Sequence, residues 1–186
     1  KFLINSYLGG SQYRASQYLT RYIYESENEY LQRITQTPLD NHVKSVVHIY
    51  NSFLFRNEPE RMYGSLQSPE LESFLKDCDM DGRSWESFMR DVNTWSTVYG
   101  SCVVLLDKPQ SNARTRAEEL AQGIRPYASI YTPENVLDWE YTRQASGYYD
   151  LTYLKLLEVE QRAYGMNARY YIREFTKDKI QLLVYL

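Results

Sequence analysis

Apolar residues recur at helical spacing through the first hundred positions and at strand spacing through most of the rest. Val43, Val46, Val47, Tyr50, Phe53 and Leu54 follow an i, i+3, i+4, i+7 rule behind Asp40 and Asn41, either of which can cap the first free amides. That pattern predicts a helix to about Phe55. Upstream, Tyr18, Leu19, Tyr22 and Ile23 predict another, continuing through Tyr30 and Ile34 until Pro38 stops it. Ser68 before Pro69 reads as a helix start, with Leu71, Phe74, Leu75 and Cys78 as its apolar stripe. The cleanest helix covers 84–99: Trp85, Phe88, Met89, Val92 and Trp95 share one face, and Gly100 closes it.

After Gly100 the period changes. Cys102 to Leu106 is a continuous apolar run ended by Asp107 and Pro109, which predicts a strand buried on both faces. Thr115 and Glu118 stand at capping-box spacing and open a short helix ending at Gly123. Strand patterns then cover 127–131, 136–141, 152–160, 170–175 and 180–185, the last two joined by the polar turn 176–179. Helices first and sheet second make an α+β fold, with N-terminal helices packed on a mixed or antiparallel sheet. Residues 1–100 form its mainly helical part and 101–186 the β-rich part of the same domain, with 57–67 and 108–114 as linkers. The expected core is Trp85, Phe88, Val92 and Trp95 packed against Val103 and Leu105, with Trp139 added from the later strands.

Composition narrows the function. The 186 residues, 43% hydrophobic and 24% charged, suit one folded domain with a core of its own. The longest apolar runs are far too short to cross a bilayer, so no membrane role is expected. With 21 Lys and Arg against 24 Asp and Glu, the net charge of −3 argues against a protein that holds nucleic acid by neutralising phosphates. Cys78 and Cys102 lie in apolar patterns and read as buried, reduced thiols in a cytosolic setting. A start at Lys1 and an end at Leu186 inside an apolar run read as a fragment of a longer protein. The outlier is tyrosine, 19 of 186 residues, a side chain that suits interfaces because its ring is apolar and its hydroxyl polar. A tyrosine-rich core rim explains the excess equally well. Tyr13, Tyr22, Tyr24 and Tyr30 are the interface candidates.

Candidate chemistry is sparse. Asp77, Asp79, Asp81 and Gly82 spell the opening of a calcium loop, but the position that needs a bidentate carboxylate is Phe88, so the segment is expected to be an acidic turn. His42 and His48 are six apart, roughly 120° round a helix, and cannot share a metal. No nucleophile elbow or phosphate loop occurs, acidic pairs such as Glu118 with Glu119 lack a matching base, and no cofactor is expected. Arg162, Arg169, Arg173, Lys177 and Lys179, interleaved with tyrosines, could touch a phosphate backbone; a solvated hairpin face accounts for them as well.

The order of the segments adds more. L-G-G-S-Q-Y begins at Leu8 and E-Y-L-Q-R at Glu29; a long helix after Asn41 ends in Phe53, Leu54 and Phe55; L-E-S-F-L-K-D-C-D follows from Leu71, with Gly82 beyond it. W-E-S-F-M from Trp85, Tyr99 with Gly100, V-V-L-L-D-K-P from Val103, Arg125-Pro126-Tyr127, Y-T-P-E-N-V from Tyr131 and Asp138 with Trp139 complete the series. Over residues 8–141 this resembles the portal proteins of tailed bacteriophages, the head-to-tail connectors. The resemblance implies a non-catalytic, homo-oligomeric ring, usually a dodecamer, at one capsid vertex of the virion, assembled in the host cytoplasm. Double-stranded DNA would pass through it without sequence specificity during genome packaging and ejection. Implied partners are the major capsid protein, the terminase motor and tail or adaptor proteins. The matched segment corresponds to the wing, and the stem and clip of a portal subunit are expected outside this chain. The alternatives are another oligomeric α+β binding or structural module, or a calcium-binding helix-loop-helix domain.

Overall fold

The computed structural model describes every residue of the chain except Gln17, Leu39, residues 161–167, Asp178 and Leu186. The fold is α+β. Among the described residues the order is α1 (Phe2–Leu8), α2 (Gly10–Ala15), α3 (Glu27–Gln36), α4 (His42–Leu54), α5 (Pro69–Lys76), α6 (Trp85–Tyr99), β1 (Val103–Asp107), α7 (Arg116–Ala121), β2 (Tyr127–Tyr131), β3 (Val136–Arg143), β4 (Tyr149–Glu160), β5 (Arg169–Thr176) and β6 (Ile180–Tyr185). These elements form two compact units, Lys1–Gly100 and Ser101–Leu186.

In the first unit, side-chain caps set the helix starts. Asn41, Ser68 and Ser84 each accept the backbone N–H three residues on, and Pro69 occupies the first turn of α5, where its missing donor costs nothing. Gly100 closes α6 in the left-handed region at φ 85°. Gly9 separates α1 from α2 at φ 66° and ψ −153°, a conformation open to glycine and not to residues with a Cβ.

The helix expected from Tyr18 begins instead at Glu27. Arg21 donates twice to the Glu25 carbonyl, at 2.9 and 2.7 Å, and the Glu25 amide donates to the Tyr22 carbonyl, so residues 22–25 form a turn. A capping box follows it: Ser26 Oγ accepts from the Glu29 amide, and Glu29 Oε2 accepts from the Ser26 amide at 2.8 Å. Of the upstream repeat, Tyr18 packs on Phe2 and Tyr13, and Tyr22 on Tyr24, while Ile23 is exposed.

The core of this unit is helical. Tyr7, Val47 and Val98 are buried together from α1, α4 and α6, with Ile4, Trp95 and Tyr99 packed round them. Asn51 ties α4 to α6 by donating to Thr94 Oγ1 at 2.7 Å and to the Arg90 carbonyl. Trp85 stacks on the fully buried Phe88 and contacts Phe74 of α5. On that face of α6, Phe88 is fully buried, and Trp85 and Trp95 pack on Phe74 of α5 and Tyr7 of α1.

In the second unit β1 pairs antiparallel with β2, and β3-β4-β5-β6 form an antiparallel sheet in that order. Tyr131, Leu154 and Leu156 are its buried centre, with Val103, Leu105, Val136 and Phe175 against them. Val103 and Leu105 therefore are core residues, as expected, but β1 is not buried on both faces. Val104 and Leu106 alternate with them into solvent, because a two-stranded ribbon covers only one side. Trp139 is a second correction: it is 57% exposed.

Two β-bulges explain where Trp139 points. The β3–β4 register shifts between Val136 and Asp138 and again between Glu140 and Tyr141, so Val136, Trp139 and Tyr141 stay opposite Leu156, Leu154 and Leu151. The apolar face of the sheet continues past the β1–β2 ribbon that covers it. A groove of about 270 Å³ there is lined by Cys102, Val103, Val136, Trp139, Tyr141 and Leu151.

Candidate functional site

The tyrosine candidates separate into two kinds. Tyr22 and Tyr24 are 64% and 85% exposed and pack edge to face at 5.7 Å, beside a broad groove that also involves Glu25, Gln32, Arg33 and Pro38. Tyr30 is half-buried and donates to the Leu19 carbonyl at 2.7 Å, with Arg33 over its ring. Tyr13 is half-buried as well and packs on Tyr18. Arg33 fixes this corner by a bidentate pair to Glu25, both contacts at 2.7 Å, and its hydrogen bonds hold the Glu25 carboxyl below the usual carboxylate range. The surface offers two free aromatic rings on a braced turn, while Tyr13 and Tyr30 serve the fold.

The acidic loop between α5 and α6 is organised by its own backbone. Asp77 Oδ1 accepts from the Gly82 amide at 2.9 Å, and Asp79 Oδ1 from the amides of Asp81 and Arg83 at 3.0 and 3.2 Å. Arg83 also approaches Asp79 Oδ2 at 3.3 Å and Asp91 at 2.9 Å. Burial pushes the Asp79 carboxyl up, but the two amides and the Arg83 charge outweigh it and hold the group low. Asp81 is exposed, and Phe88 is buried at the position a calcium loop needs for its closing ligand. Among the described residues no group of three or more His, Cys, Asp or Glu is placed to hold a metal. Cys78, beside this loop, is fully buried; Cys102 is half-buried, and burial raises both thiols.

The basic cluster also divides. Arg162 lies outside the described residues. Lys177 and Lys179 are exposed at the β5–β6 turn, where the Thr176 amide donates to the Lys179 carbonyl at 2.8 Å, and Arg169 is half-buried on β5.

Arg173 is the correction. Its Nη1 donates to Asp107 of β1 at 2.6 Å, and its Nε lies 3.0 Å from Glu158 of β4 as an ion pair. Tyr131 of β2 donates to the same Glu158 oxygen, and Tyr127 to the same Asp107 oxygen at 3.3 Å. Burial raises the Tyr131 phenol far above its ordinary value, and the Glu158 carboxylate adds to the shift. Burial works against the Arg173 charge, but Tyr127, Glu158 and Asp107 more than offset it. An arginine so held joins the two sheets and is not free to meet phosphate.

Sequence reasoning missed this network. Arg173 alternates with Phe175 on the core side of β5, opposite Leu156 and Leu154, and that period-two placement was the one available signal. No family model matches the chain, and no curated protein matches it. Among the described residues no helix is long and apolar enough to cross a membrane.

Proposed function

We propose that this chain is the wing part of a tailed-bacteriophage portal subunit, a non-catalytic element of a ring through which DNA enters and leaves the capsid. The observation that carries the reading is the ordered series after α6: Tyr99 with the Gly100 cap, V-V-L-L-D in β1 with Pro109 after it, Arg125-Pro126 leading into Tyr127 at the start of β2, and Trp139 in β3. These portal-like segments keep their order along α6, β1, β2 and β3, with α7 between β1 and β2.

Two physical features support it. A net charge of −3 suits a conduit along which DNA must slide, because a tight phosphate grip would be lost and remade with every step. Closing a ring needs two different complementary patches on each subunit, and exposed aromatics such as Tyr22 and Tyr24 are the side chains such patches use. The capsid protein, the terminase motor and adaptor proteins are the partners this role requires.

The test uses the gene product that carries this chain, with Tyr22→Ala and Tyr24→Ala together. Ring yield by native mass spectrometry is expected to fall, while the salt dependence of any DNA binding stays as in the parent. A ring yield unchanged from the parent would overturn the assignment.

A further inference from the structure

We propose that the tip of the β3–β4 hairpin reaches the next copy of this chain and seats against the corner that holds Tyr22 and Tyr24. The inference rests on the ring reading, for which it names the second of the two different patches that closure needs. It starts from strand register. β5 pairs with β4 from Glu160 only as far as Tyr153, whereas β3 pairs with β4 on to Arg143 opposite Tyr149. Residues 141–151 therefore project as a two-stranded arm, with no third strand beside it among the described residues. Its turn is closed: the Gln144 amide donates to the Tyr148 carbonyl at 2.8 Å, and the Gly147 amide to the Gln144 carbonyl at 2.9 Å.

A two-stranded arm is barely stable alone in water, yet this one carries large apolar side chains. Tyr141, Tyr148, Tyr149 and Leu151 are between 47% and 76% exposed, with the exposed Trp139 at the base. The four aromatic residues leave roughly 500 Å² uncovered, the size of patch that marks an interaction site. The register puts Trp139, Tyr141, Arg143, Tyr149 and Leu151 on one face, with the Arg143 guanidinium over the Tyr149 ring, and Glu140, Thr142 and Asp150 on the other. The aromatic face thus carries one cation and no carboxylate.

The corner is its complement. Tyr22 and Tyr24 stand beside a groove of about 680 Å³ whose lining carries Glu25 and Glu29 against Arg33, with Gln32 and Gln36 as neutral hydrogen-bonding groups. Arg33 already pairs with Glu25, and Glu29 gives only Oε2 to the capping box, which leaves Oε1 for a cation such as Arg143. Beside the lining, Arg14 and Arg21 donate to the Thr37 and Glu25 carbonyls and are balanced by Glu27 and Asp40. Arm and corner are different surfaces, so their meeting is head-to-tail and leaves one of each free for the next copy, which is how a ring propagates until it closes.

The test uses the gene product that carries this chain, with the photo-crosslinker p-benzoylphenylalanine in place of Tyr148. Unlabelled and isotopically labelled copies are mixed, assembled, irradiated and mapped by mass spectrometry after trypsin. Crosslinks are expected from the arm to peptide 22–33 of a different copy. Tyr148→Ser with Tyr149→Ser, both at exposed positions, is expected to lower ring yield at fixed concentration by about tenfold or more, with the circular dichroism unchanged. A closed ring whose crosslinks fall on other segments, or whose yield survives the double variant, would uphold the portal reading and overturn this one. Crosslinks to 22–33 of a second copy in a product that never closes a ring would keep the arm contact and overturn the ring. Neither ring nor crosslinks between copies would overturn both.

Discussion

Replacing Arg173 by methionine keeps the length of the side chain and removes its charge, which isolates the polar link between the two sheets. Arg173 stands 2.6 Å from Asp107 and 3.0 Å from Glu158, and the three side chains are 23%, 33% and 26% accessible. A hydrogen bond to a charged group contributes about 1.5 to 3 kcal/mol, and partial access to water puts these contacts near the lower end. The substitution also leaves two carboxylates at the sheet junction without their cation, relieved by the hydroxyls of Tyr131 and Tyr127 and, on Asp107, by the Lys108 amide. The expected loss is about 3 kcal/mol. Asp107→Asn alone should cost about 1.5 kcal/mol, and the Arg173/Asp107 double-mutant cycle should show a coupling of about 1 to 2 kcal/mol. Urea unfolding read by hydrogen-exchange mass spectrometry on β1 and β5 separates this unit from the helices. A loss below about 0.5 kcal/mol, or a coupling indistinguishable from zero, would refute the assignment of Arg173 to the junction and return it to the solvated basic face.

Leu156, with no exposure, should lose about 3 kcal/mol on replacement by alanine, whereas Trp139→Ala, at an exposed position, should lose less than about 1 kcal/mol; chemical denaturation of both compares them directly. The loop of Asp77, Asp79 and Asp81 should show no calcium dissociation constant of about 10 μM or tighter by isothermal titration, since Phe88 stands where the closing carboxylate is needed and Asp77 and Asp79 already accept backbone amides. The Arg33 hydrogen bonds depress the Glu25 carboxyl, so its contribution is complete above the unfolded carboxylate value of about 4.3 and fades as pH falls through the lower folded value. Thermal melts between neutral pH and about pH 3 should therefore fall off less steeply for Glu25→Gln than for the parent; identical slopes would exclude the pair as a contributor.

Much of the architecture was legible because local chemistry wrote it. Asn41, Ser68, Ser84 and Thr115 cap where their side chains predict, Gly100 ends α6, and the 176–179 turn joins β5 to β6. Glu118 departs from the simple capping box by reaching back to the Arg114 amide at 2.8 Å, one residue earlier than the spacing implies. What sequence could not carry is long-range. Apolar runs do not reveal whether a strand has neighbours on both faces, so β1 reads as buried when one face is open. The exposure of Trp139 depends on two bulges that no residue pattern announces. Arg173 belongs to a site made by four strands, and its partners Asp107, Tyr127, Tyr131 and Glu158 come from three of them. The start of α3 was legible and missed, since Ser26 and Glu29 spell a capping box that the aromatic repeat upstream obscured.

The most direct test of the portal assignment is native mass spectrometry of the purified gene product that carries this chain, at physiological salt and without DNA. A portal subunit gives one large closed ring of identical copies, near a dodecamer, whose mass does not change on dilution. A population confined to monomers and dimers, with no closed higher assembly at any concentration, would contradict the assignment.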